Sequence, residues 1–107
     1  MRDHQTLPPL PDTEQLILEL LVTSGKAMFG LELIEASGGR LKRGTIYVTL
    51  QRMTKKGFVE SREEARTAPE IGIPRRLYTA SGLGIRVLRA YAAAALAASS
   101  TFALEVR

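Results

Sequence analysis

Residues 40–62 read RLKRGTIYVTLQRMTKKGFVESR, and inside that stretch the spacing of apolar residues changes from helical to extended at a single glycine. Ile46, Leu50 and Met53 stand at i, i+4 and i+7, the spacing of one core-facing helical stripe. Gly57 follows, able to take the left-handed conformation that closes a helix. Phe58, Val59, Glu60, Ser61 and Arg62 then read as a strand that leads to a polar loop with Pro69 and Gly72. Residues 73–79 (IPRRLYT) read as the returning strand, with Leu77 and Tyr78 on opposite faces. A helix feeding directly into a hairpin with so long a loop predicts a wing rather than a tight turn.

The flanking segments supply the helices such a unit must pack on. A first helix opens at Asp12, with Gln15 three residues on completing a capping-box pattern, and closes at Ser24-Gly25. Leu16, Ile17, Leu18, Leu20, Leu21 and Val22 make it apolar on more than one side. A second helix covers residues 29–37 and stops at Gly38-Gly39; the third begins near Thr45. The last helix starts after Thr79 or Ser81, both able to cap it. Its stripe is Ile85, Leu88, Ala92, Ala95 and Leu96, with Ser99 the next position along. Residues 102–106 suit either a continuing helix or an extended tail.

The expected architecture is mainly α (α+β): a winged helix-turn-helix with a three-helix core, a β-hairpin wing and a C-terminal dimerisation helix. Residues 1–11, with three prolines, form a flexible arm; 12–79 the winged domain; 80–107 the C-terminal helix and tail. At 107 residues there is room for one core, not two.

Charge is segregated along this plan. Residues 40–62 hold seven Lys or Arg against the single acid Glu60, whereas residues 1–39 hold two bases and six acids. Positive charge gathered on one helix and its flanks points to a polyanion: DNA, RNA or an anionic membrane. No stretch approaches the roughly 20 apolar residues of a membrane span. The chain has no Cys and one His, His4, so no Cys–His, Ser–His–Asp or metal-ligand spacing can be assembled. We expect no catalysis, no metal and no cofactor. The lack of Cys fits a reducing, cytoplasmic setting, and the carboxylates, mostly on helix surfaces and in the wing loop, read as solvated charge.

A helix in the major groove reaches base edges from the side away from its core stripe. Thr45, Val48, Thr49 and Arg52 are assigned to that side, with Arg52 able to grip guanine. Lys42, Arg43, Lys55 and Lys56 flank it and suit phosphates. Tyr47 can be core, phosphate ligand, or both. Arg75 and Arg76 adjoin on a strand and point to opposite faces, so one of them serves the wing; Arg76 is assigned, with Arg66 in the loop as a second phosphate contact.

The last helix presents small residues to nothing in its own domain, which predicts pairing with a second copy. Leu16 and Leu20 of the first helix join Ile85, Leu88, Tyr91, Ala92, Ala95, Leu96 and Ser99 in that expected interface. Tyr91 and Phe102 either pack there or line a pocket for a small-molecule effector of unknown identity.

These residues resemble the PadR-type bacterial transcriptional regulators. The likeness is carried by Gly30 in FGLELIEA, by GTIYVTLQRMTKKG from Gly44 to Gly57, and by Arg75-Arg76-Leu77-Tyr78-Thr79 leading into Gly82. It implies a homodimer acting as repressor or activator on a pseudo-palindromic operator in double-stranded DNA, with the 44–56 helix as recognition helix. It also implies that Tyr47 touches the DNA backbone and that a wing arginine reaches the minor groove or a phosphate. Outside that likeness, the same basic helix would serve a winged module that docks an acidic protein surface.

Overall fold

The computed structural model describes residues 7–64 and 75–105, with side chains through Ser99. Arg66, Pro69 and Gly72 of the wing loop, His4 of the arm, and the side chain of Phe102 lie outside the described residues. The elements are α1 (Asp12–Ser24), β1 (Met28–Phe29), α2 (Gly30–Ala36), α3 (Arg43–Lys56), β2 (Val59–Glu63), β3 (Arg76–Ala80) and α4 (Gly82–Glu105). Three helices against an antiparallel sheet, with a long final helix, are the winged helix expected from the sequence.

α1 is closed by Gly25 at φ 68°, whose N–H reaches the Leu21 carbonyl at 3.1 Å. Its start differs from expectation. Asp12 is the first helical residue rather than the cap, Pro11 holds the cap position, and no side chain caps the helix. The Gln15 amide instead donates to Glu19 at 3.2 Å. The carboxylates of Asp12 and Glu14 still lie in the first turn, where they favour the positive end of the helix dipole. A single side-chain bond of the capping kind occurs at the next helix, where Glu32 accepts the Phe29 N–H at 2.8 Å.

The sheet has three strands, in the order β1-β3-β2, where the sequence predicts a two-stranded hairpin. β1 pairs Met28 with Tyr78 and Phe29 with Leu77, and β2 pairs with β3 from Val59↔Ala80 to Glu63↔Arg76. A strand of two residues is too short to show a period of two, so it reads as the start of the next helix.

Ile46, Leu50 and Met53 are fully buried, as their spacing requires, together with Ile17, Leu18 and Leu33. Gly57, at φ 81°, turns the chain from α3 into β2. Ser81 rather than Thr79 caps α4: its hydroxyl accepts the Gly84 N–H at 2.9 Å and donates to the Gly57 carbonyl. α4 continues as helix to Glu105, which settles its C-terminal part in favour of helix over an extended tail.

Two parts of this surface are more buried than the sequence reading has them. The sequence places Leu16 in a second-copy interface, but the residue is buried in the chain's own core, where α1 packs against α3, α4 and β3. The last residues of the arm are likewise docked. Leu10 is buried, and Tyr91 donates its hydroxyl proton to the Pro8 carbonyl at 2.6 Å.

Candidate nucleic-acid interface

The interface is built outward from α3. Residues rotate by about 100° per step around a helix, so burying Ile46, Leu50 and Met53 turns Gly44, Val48, Gln51 and Lys55 to the opposite side. All four are exposed, Val48 to 58%. Lys42, Arg43 and Thr45 are exposed at the N-terminal end of the same helix. Tyr47, at 48% exposure, stands on one edge of this face, so its ring is not part of the core.

Thr49 does not belong to the face. It is only 6% exposed and its hydroxyl donates back to the Thr45 carbonyl at 2.9 Å. Thr49 follows Thr45 by four residues, so the pair does share a side, but that side rolls toward the buried stripe instead of away from it. Gln51 takes its place in the outward set. Its spacing from Gly44 (i+7) and Val48 (i+3) carried that information in the sequence.

Arg52 and Lys56 lie on the other edge of α3, along its seam with α1. Lys56 Nζ is 2.7 Å from Oε1 of Glu14, and Arg52 Nη1 is 3.7 Å from Oε2. Glu14 is fully buried, contrary to the expectation of solvated carboxylates. The Lys56 ammonium also stands 5.3 Å from the centre of the Phe58 ring. The assigned phosphate ligand Lys56 is thus held by an ion pair inside the protein, and the assigned guanine reader Arg52 leans toward the same carboxylate. One acid four positions before Leu18 offered no signal of this, since Glu14 sits in a first turn where exposed acids are common.

At the base of the wing, Arg75 donates to both oxygens of Glu64 at 3.0 and 3.2 Å, and its guanidinium lies 4.0 Å from the centre of the Phe29 ring. Arg76 donates to Ser61 Oγ at 3.1 Å and stands 3.6 Å from Glu63. A cavity of about 470 Å³ separates this strand from α3 and the start of α2, bounded by Phe29, Leu31, Tyr47, Arg76 and Tyr78. Burial pushes the Tyr78 hydroxyl above its usual range; Arg76 partly offsets this, and nearby Tyr47 adds to it.

Of the residues assigned to a second-copy interface, Leu20, Ile85, Leu88 and Tyr91 are half-buried in their own chain. Ala92, Ala95, Leu96 and Ser99 are exposed, Leu96 to 69%. Among the described residues no group of three acids or histidines could hold a metal ion, and no helix is long and apolar enough to cross a membrane.

A winged helix whose third helix turns an exposed, basic face outward defines a class of DNA-binding folds. Residues 17–90 match the transcriptional regulator PadR-like family, and the chain belongs to that family. At that level it is a DNA-binding transcription regulator. No curated protein matches the chain. Among solved structures, it is similar to a PadR family transcriptional regulator from Eggerthella lenta DSM 2243, with 19% identity, TM-score 0.67, and 89% and 84% of the two chains covered. A PadR-like transcriptional regulator from Bacillus cereus shares 22% identity at TM-score 0.61, covering 89% and 91%. A PadR family regulator from Clostridium difficile R20291 shares 22% at TM-score 0.65, covering 87% and 98%. At these identities the solved structures support the fold.

Proposed function

We propose that the protein is a sequence-specific transcriptional repressor that binds a pseudo-palindromic operator as a homodimer. The observation that carries this is the outward face of α3: Val48, Gln51 and Lys55 are exposed on the side opposite the buried stripe. Gln51 offers a donor and an acceptor to the edge of an adenine, and Val48 offers an apolar contact to a thymine methyl. Lys55 reaches a guanine or a neighbouring phosphate. Lys42, Arg43 and Thr45 at the start of the helix suit the backbone, as does the Tyr47 hydroxyl at its edge. Arg76 remains the wing residue proposed to reach DNA, provided that it leaves Ser61 and Glu63.

The exposed Ala-rich half of α4 supports the homodimer. Ala92, Ala95 and Leu96 find no cover among the described residues, and small side chains let a second helix approach closely. The two-fold axis of such a dimer would match the symmetry of the operator.

Titration of fragments of the source genome at physiological salt tests the proposal. A small set of fragments should bind at least about a thousandfold more tightly than bulk DNA. Uniform, weak binding to every fragment would favour a module that docks an acidic protein surface.

A further inference from the structure

The proposed reading leaves Glu14 unused, yet it is the fully buried carboxylate of the described core. Its Oε1 takes the Lys56 ammonium at 2.7 Å, while its Oε2 has no hydrogen-bond partner among the described residues and stands 3.7 Å from Arg52 Nη1. A buried carboxylate oxygen without a donor is costly, and a nearby guanidinium is drawn to it. The Arg52 side chain remains 52% exposed, so it lies at the boundary between this seam and solvent. Around α3, Arg52 is about 70° from the centre of the outward face and Lys56 about 110°. Both side chains are long and flexible enough to swing toward a phosphate once nothing holds them.

We propose that Glu14 is a positioning residue of the DNA interface, one that limits sequence-independent affinity by withholding Arg52 and Lys56 from the phosphate backbone. The proposal rests on α3 being the DNA-reading helix. Phosphate contacts raise affinity for every sequence alike, whereas base contacts separate one sequence from another. With two cations held on the α1 seam, the interface depends more on Val48, Gln51 and Lys55. Freeing those cations adds affinity that carries no sequence information.

The test compares wild type with Glu14→Gln, on a duplex selected from random DNA by the wild-type protein and on a shuffled duplex of the same composition. Affinities are measured from 50 to 200 mM salt. Glu14→Gln should steepen the dependence of log affinity on log salt by about 0.9 for each phosphate gained. It should also raise the affinity for both duplexes by about threefold or more at low salt, leaving the ratio between them unchanged. Because loss of a buried pair can unfold the domain, Glu14→Leu combined with Lys56→Met is made as well. That variant fills the seam with apolar side chains and frees Arg52 alone. It should steepen the slope by about one unit and raise the affinity for both duplexes in the same direction. Folding of each variant is checked by circular dichroism, and a folded variant matching wild type in both slope and affinity overturns the proposal. If wild type itself shows no salt-dependent binding to either duplex, the assignment of α3 as reader fails, and the role of Glu14 with it.

Discussion

A Cβ on Gly30 would stand 2.6 Å from Cε1 of Tyr47 and 2.8 Å from its hydroxyl oxygen. The first residue of α2 is therefore small because the half-exposed tyrosine of α3 lies across it. Gly30 has no positive φ, so the requirement is one of space and not of backbone conformation. α2 and α3 are locked in register at the edge of the outward face, which fixes where the Tyr47 hydroxyl points.

Gly30→Ala should displace the Tyr47 ring while leaving the fold intact, since the atoms in the way belong to the far end of a side chain. The expected loss of stability is about 1 kcal/mol or less, a fall in Tm of a few degrees. DNA affinity should fall together with that of Tyr47→Phe, which removes the hydroxyl alone. Full affinity in Gly30→Ala would show that the position of Tyr47 is immaterial to binding.

Gly84→Ala is expected to be far more damaging. Its Cβ would be 2.1 Å from the Phe58 carbonyl oxygen and 3.0 Å from Leu18 Cδ2, where backbone cannot yield as a side-chain tip can. α4 would have to lift off the turn that joins α3 to β2, at a cost of about 3 kcal/mol. For a domain of this size that is a fall in Tm of at least about 10 °C by thermal denaturation. A fall of only a few degrees would mean that α4 is not seated against Phe58 as described.

Thr49 and Gln51 separate two possible reading faces. Thr49→Val removes a hydroxyl that already bonds to its own helix, and should leave operator affinity unchanged. Gln51→Ala should weaken binding by about 1–3 kcal/mol and relax preference at one base pair of each half-site. Competition binding against a set of single-base operator variants reads both. The reverse pattern, with Thr49 sensitive and Gln51 silent, would rotate the reading face by roughly a quarter turn.

Leu96→Glu places a charge in the middle of the exposed Ala-rich stretch of α4. If that surface joins two copies, sedimentation should show a shift from dimer to monomer, with the circular dichroism of the winged domain unchanged. A dimer that survives the substitution would move the interface elsewhere.

The parts of the fold that were legible in the sequence are those set by long periodic signals. Ile46, Leu50 and Met53 placed the core side of α3, and Gly57 placed its end; both agree with the structure. What escaped is what short-range pattern does not encode. β1 has two residues and no period. The Asp12–Gln15 pattern has the spacing of a capping box, yet Pro11 takes the cap position and α1 goes without a side-chain cap. Glu14 occupies a first-turn position that usually faces water, and only the tertiary arrangement brings Lys56, 42 residues away, to meet it. The outward face of α3 was legible in kind but misplaced by one flank. The spacing puts Arg52 on the outward face and Lys56 beside it, whereas both are turned to Glu14, an internal partner that the sequence does not announce.

The most direct test of the central claim is a hydroxyl-radical footprint of the protein on a tightly bound fragment. A homodimer with α3 in the major groove should protect two related half-sites whose centres lie about 34–36 Å apart, one helical turn. Protection of a single asymmetric patch, or even protection along the whole fragment, would contradict it.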